Sequence, residues 1–201
     1  MNLTVTGTTI ADNGVAGLTA PENEIANALI EDCTIANNFL GGIAFEAVDG
    51  LTIRDSTIEE NFNGVNDSQF TDPAGVRALV RDLTIERSRI ENNGELFGAG
   101  IRLIGNRVES FAVLNSVIAG NAGFGIVVNG FFTGNGAADV TIRNVTVRAN
   151  GNDGLVFRGD ANDVTVDRAV VAENDGPGIR FAFNDLTDVT VVDSNVRNNA
   201  E

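Results

Sequence analysis

Every cation in this chain of 201 residues is an arginine: 13 Arg, no Lys and no His. Three of them, Arg102, Arg158 and Arg180, stand at related places in a repeated pattern. A guanidinium fork matches a carboxylate two bonds at a time, so three on one face make a contact surface for an anionic polymer. The alternative is that they pair with neighbouring acids, of which there are 28, for a net charge of −15. That charge repels phosphate backbones and anionic lipid, which sets aside nucleic acid and bare membrane as partners. Tyr and Trp are absent as well. Without His, Lys and Tyr there is no imidazole or phenolic acid or base, no His-ligated zinc or haem and no lysine Schiff base. The lone Cys33 has no disulfide partner and reads as a small buried apolar residue.

What positions these groups is an internal repeat. LTVTGTTIADN at Leu3 returns as LTIRDSTIEEN at Leu51, LTIERSRIENN at Leu83, VTIRNVTVRAN at Val140, VTVDRAVVAEN at Val164 and VTVVDSNVRNN at Val189, with looser copies at Ala28 and Phe111. Apolar residues alternate within each copy, as in strands with one buried face, and no stretch holds the 3.6-residue period of a helix. One Asn recurs in every copy: Asn13, Asn38, Asn61, Asn93, Asn121, Asn150, Asn174 and Asn199. Asn tolerates the left-handed backbone of a tight corner, and stacked amides can bond along a column. A Gly column follows where the chain leaves the corner (Gly17, Gly42, Gly64, Gly100, Gly125, Gly154 and Gly178), then inward apolar stacks containing Phe45, Phe157 and Phe181. Three short strands per repeat describe an all-β parallel solenoid of eight coils, roughly 38 Å long at about 4.8 Å per coil.

The longer connections, 66–82, 94–99 and 129–139, flank coils three to five, where they would wall a groove. The adjoining outward strand positions are Thr19, Ala44, Asn66, Arg102, Val127, Val156 and Arg180. Next to these run Pro21, Glu46, Ser68, Ile104, Asn129, Arg158 and Ala182. Asp67 falls in the inward column otherwise filled by Phe45, Leu103 and Phe157. An ionised carboxylate does not stay there unpaired, so either the strand ends early and Asp67 turns into the loop, or it binds a cation. NGNDG from Asn150 and ENDG from Glu173 have the look of calcium loops, but they sit at the Asn corner and read as turns.

LTIRDSTIEENFNG, with its Asn corner followed by Gly and an apolar residue, resembles the right-handed parallel β-helices of the pectin-lyase-like superfamily. It looks most like the epimerase modules of mannuronan (alginate) C5-epimerases. The resemblance covers nearly the whole chain and implies one β-helix domain over residues 1–201. It places ligands on the outward strand face and makes a polyuronate the guest for Arg102, Arg158 and Arg180, with Glu46, Asn66 and Asn129 as further contacts. The family's catalytic Tyr and His have no counterpart here. A pectate-lyase-like alternative needs calcium on clustered carboxylates and an Arg base; Asp67, Asp72 and Glu95, with Glu109 and Arg102, are the residues of that type around coils three to five.

Two functions follow as expectations. One is a non-catalytic module of an extracellular or cell-surface protein, a scaffold or polysaccharide-contact surface. The other is part of an epimerase or lyase acting on alginate or pectate. No apolar run reaches the roughly 20 residues of a membrane span. An open final coil exposes apolar cross-section and unpaired backbone. The expectation is therefore that the ends pack against another copy, or that the chain is a segment of a longer solenoid.

Overall fold

The computed structural model describes residues 2–67, 79–94, 98–104, 107–129, 137–182 and 185–200, with the side chains at 21–24, 46, 67 and 129 left outside the description. Asp72 and Glu95 also lie outside it.

Each repeat winds once round a triangular section, and its strands pair in parallel with the same strands one coil away. The second face stacks eight three-residue strands, from Thr9–Ala11 to Asn195–Arg197. The first face runs from Thr4–Thr6 to Leu186–Val192, and the third from the leading half of Ala16–Glu31 to Ile179–Ala182. Ala16–Glu31 and Gly41–Arg54 pass from the third face into the first without a break, which joins those two faces into one 13-stranded sheet. Register is strict: Ile53, Ile85, Val113, Ile142 and Val166 stand opposite one another on successive coils, each 0 % exposed. On the second face Ile35, Ile58, Ile90, Ile118, Val147 and Val171 form the facing stack. Thr52, Thr84, Thr141, Thr165 and Thr190 share one outward column.

The solenoid amounts to about six turns rather than the eight counted from the Asn column. The second face does hold a strand for each Asn, but the coils at either end have a neighbour on one side only. In the last of them Val191 and Val196 are 48 % and 47 % exposed.

The corners revise the expected role of asparagine. Twenty described non-glycine residues have φ between 46° and 59°, and they mark three corners per coil, as at Asn27, Asp32 and Asn37. At the Asn corner the left-handed residue is the one before the column (Asp12, Asn37, Glu60, Asn92, Ala149, Glu173, Asn198), and the column Asn itself is not left-handed. Its work is done by the amide. Asn61 donates from both its backbone N–H and Nδ2 to Asn93 Oδ1, at 3.1 Å each; Asn93 does the same to Asn121 Oδ1 at 3.0 Å. Asn93 Nδ2 also donates to Ile58 O and Glu91 O, so a side chain that is 0 % exposed has every polar atom paired.

The glycine column serves the same ladder. Those glycines have ordinary φ, but a Cβ on Gly64 would lie 2.5 Å from Gly100 O and 3.1 Å from Asn93 Nδ2, and the other interior members repeat this crowding. Glycine is required there by the approach of the next coil. A second ladder runs along the corner between the first and second faces. Cys33 N–H donates to Ser56 Oγ, Ser56 N–H to Ser88 Oγ and Ser88 N–H to Ser116 Oγ, while Ser56, Ser88 and Ser116 each return a hydroxyl bond to the carbonyl two residues back. Cys33 fills the same place, buried, with Sγ near Val5 O and Glu31 O.

Two outcomes follow. Asn93→Ala strips acceptors from the Asn61 N–H and Nδ2 inside the stack and is expected to cost about 3 kcal/mol. Asn13→Ala, at the exposed end, is expected to cost about 1 kcal/mol or less. Urea midpoints check both, and equal losses would remove the ladder as the support of the coil. Ala149 is an exposed alanine held at φ 53°. Ala149→Asn should therefore raise stability by about 1 kcal/mol in the same measurement.

Candidate functional site

The third face carries the arginines because its outward side chains alternate with the core stack. Strand pairing puts Asn66, Arg102, Val127, Val156 and Arg180 in one column, one per coil, and sets Arg158 in the next column between Asn129 and Ala182. All three Arg are on this face, as the spacing predicts, but they do not form one row. Val127 and Val156, read as outward, are 2 % and 0 % exposed: Ala99 and Phe124, from the corner segments, fold over them into a small apolar cluster outside the main core. The open face expected there is sealed at coils five and six, which separates Arg102 from Arg180.

What the structure brings together is Arg158, Arg180, Asp153 and Phe124. Phe124 and Asp153 occupy the same corner position on successive coils, each just before a column glycine. The Arg158 guanidinium lies over the Phe124 ring, 5.5 Å from its centroid, a cation–π arrangement. It has no carboxylate within ion-pair distance among the described residues, unlike Arg180, whose Nη2 pairs with Asp153 Oδ2. Asp153 is 1 % exposed, and its Oδ1 faces the backbone of Gly176 on the next coil, where a Cβ would be 2.3 Å away. Burial pushes the Asp153 carboxyl above the usual range, against the pull of Arg180 and Arg158. In NGNDG, Gly151 is exposed and Asn152 half-buried, but Asp153 is buried and engaged by an arginine rather than turned outward to a cation.

The remaining candidates are scattered. Asn66 is 8 % exposed with an unpartnered Oδ1 and stands beside Arg102, which makes interactions of its own. Glu46 and Asn129 lie on third-face strands, with side chains outside the described residues. The strand Val65–Asp67 ends on Asp67, which stands opposite Phe45 of the preceding coil, while pairing with the following coil stops at Asn66; the Asp67 side chain is likewise outside the description. Glu109 is on the strand Arg107–Leu114, away from Arg102, and is held by Arg81 at 3.3 Å and by Arg107. Among the described residues no three acidic or thiol groups gather as a metal site.

Sequence reasoning missed Phe124 and Asp153 as members of the site. The signal available was the residue before each column glycine, which is small or amide-bearing in the coils before them: Ala16, Gly41, Asn63 and Ala99. Four exposed apolar side chains also went unread. Val15, Phe39, Leu40 and Phe62 follow the Asn column on coils one to three, with Phe39 73 % exposed.

Asp153 has a folded pKa above its unfolded value of about 3.9. Its contribution to stability is thus full below that unfolded value and lost as pH rises through the folded one. Asp153→Asn, neutral throughout, should gain on the parent chain as pH goes from about 4 to about 7, read as the difference in urea midpoint; a difference constant with pH would refute the assignment.

A family model described as right handed beta helix region matches residues 1–135. Curated proteins and solved structures gave no match.

Proposed function

The chain belongs to the right-handed β-helix family, and from that premise we propose that it is a non-catalytic scaffold module of an extracellular or cell-surface protein, with its third face as a contact surface for an acidic polysaccharide. The observation that carries this reading is Arg158. In a chain of net charge −15, where nine other arginines pair with acids, its guanidinium has no carboxylate within ion-pair distance among the described residues, which leaves it for a guest carboxylate, and it is braced from below by Phe124. Bidentate capture of a uronate by such a fork is favourable, and the aromatic support costs the guest nothing. The exposed Phe39 and Phe62, one coil apart at the corner bordering this face, add apolar surface of the kind that marks interaction sites.

One observation favours the second reading, part of an epimerase or lyase on polyuronates: Asp153 is a carboxyl of raised pKa beside two arginines. Its burial under Gly176 counts against contact with a substrate.

Titration with alginate and pectate, with and without calcium, tests both. Binding is expected without unsaturated products or epimerised residues; appearance of either product moves the chain to the enzyme class. Arg158→Ala should weaken binding about fivefold, the loss of about 1 kcal/mol that one partly exposed ion pair supplies. Arg148→Ala, on the second face, should leave binding unchanged.

A further inference from the structure

Phe39 and Phe62 hold one column at the corner between the second and third faces. Each follows a buried ladder asparagine, and each donates its backbone N–H to the ladder asparagine carbonyl of the coil before: Phe39 to Asn13 O at 3.0 Å, Phe62 to Asn38 O at 3.3 Å. Gly94, Ala122, Gly151 and Asp175 make the same bond on later coils. A position filled there by small or polar residues thus carries two phenylalanines on adjacent coils, about 4.8 Å apart.

Neither ring is absorbed by the core. Phe39 is 73 % exposed and Phe62 46 %, with Leu40 beside them at 40 %. Both phenylalanines have a coil on either side, so the exposure belongs to the corner itself. From the second coil to the seventh, these three are the exposed large apolar side chains among the described residues. The charge next to them is of one sign. Glu59 ends the strand Thr57–Glu59 on its outward side, and Glu60 turns the corner, exposed; neither has a cation within ion-pair distance among the described residues. Glu59 stands opposite Glu91 in the strand register, like charge beside like, and Arg89 on that next coil is taken up by Glu91 at 2.6 Å.

Apolar surface bordered by unpaired acids selects its occupant. A second copy of this chain would bring its own net charge of −15. The three side chains also offer roughly 300 Å², against about 800 Å² per partner in a stable complex. A polyuronate carries the wrong sign for Glu59 and Glu60, so this corner takes a different guest from the one at Arg158. A cation on an apolar stem meets both requirements: the rings attract it through their quadrupole, the stem covers Leu40, and the carboxylates pair with the charge. We propose that this corner is a docking site for a short basic segment of another protein, whose arginine or lysine side chains lie across Phe39 and Phe62 with their charged heads against Glu59 and Glu60. Arginine is the better fit, because its planar guanidinium stacks on a ring and pairs with a carboxylate at the same time.

The test is titration of the folded chain with a short fluorescent peptide of alternating Arg and Leu, in the absence of polysaccharide, so that its outcome is separate from that of Arg158. Phe39→Ala combined with Phe62→Ala should weaken binding about tenfold, through the loss of two exposed cation–π contacts. Glu59→Gln combined with Glu60→Gln should weaken it about fivefold. Asp139→Asn combined with Asp163→Asn removes the same charge at the corner leading into the first face and should leave binding unchanged. Bound peptide should move the amide resonances of Phe39, Leu40 and Phe62. An equal loss in the Asp139 and Asp163 variant, resonances shifted on all three faces, or no saturable binding would overturn the proposal, since each reduces it to bulk charge attraction or to nothing. A dimer in sedimentation that the phenylalanine variant dissolves would overturn it too, by giving the corner to a second copy. The urea midpoint of the phenylalanine variant should match the parent; a fall would show that the rings serve the fold instead.

Discussion

One side-chain amide per coil holds this structure in register. Each interior asparagine accepts two bonds from the coil before it and donates two to the coil after it, so buried polar groups that would otherwise oppose folding become the spine of the stack. The glycine column is the steric counterpart of that spine: it is empty where the next asparagine must sit. A slip of one residue between coils would unpair the ladder and turn every inward isoleucine to solvent, so hydrogen bonding and apolar burial enforce the same register.

The corners also bear on the charge. A β-solenoid of this section needs a left-handed residue three times per coil, and Asp and Asn take that conformation more readily than most residues. Asp12, Asp32, Asp55, Asp82, Asp139, Asp163, Asp188 and Asp193 all stand there, with Glu60 and Glu173, ten of the 28 acids. Much of the acidity is therefore a by-product of turning the chain. That weakens any inference from net charge to partners and gives more meaning to an arginine such as Arg158, which has no carboxylate partner among the described residues.

On the third face, the corner segments decide what is offered to a guest. Phe124 does two things at once: it closes the outer apolar cluster with Val127 and Val156, and it supports Arg158. Asp153, its equivalent one coil on, draws Arg180 inward. One corner position, occupied by different residues on successive coils, thus leaves one arginine available and commits the other.

The repeat, the parallel β-helix, the asparagine ladder and the inward stacks of the third face were legible in the sequence, because a column is a statement about spacing and every coil restates it. The placement of three arginines on one face was legible for the same reason. The left-handed residue next to each column Asn, the serine ladder and the purpose of the glycines were not, since these depend on which atoms of adjacent coils meet at under 3.5 Å, and spacing along the chain does not say which of two neighbouring residues turns the corner. Nor did it show that Val127 and Val156 are sealed or that Arg180 is held by Asp153 while Arg158 is not. Those outcomes depend on corner segments folding across the face, a contact between residues of different coils whose direction no periodicity encodes.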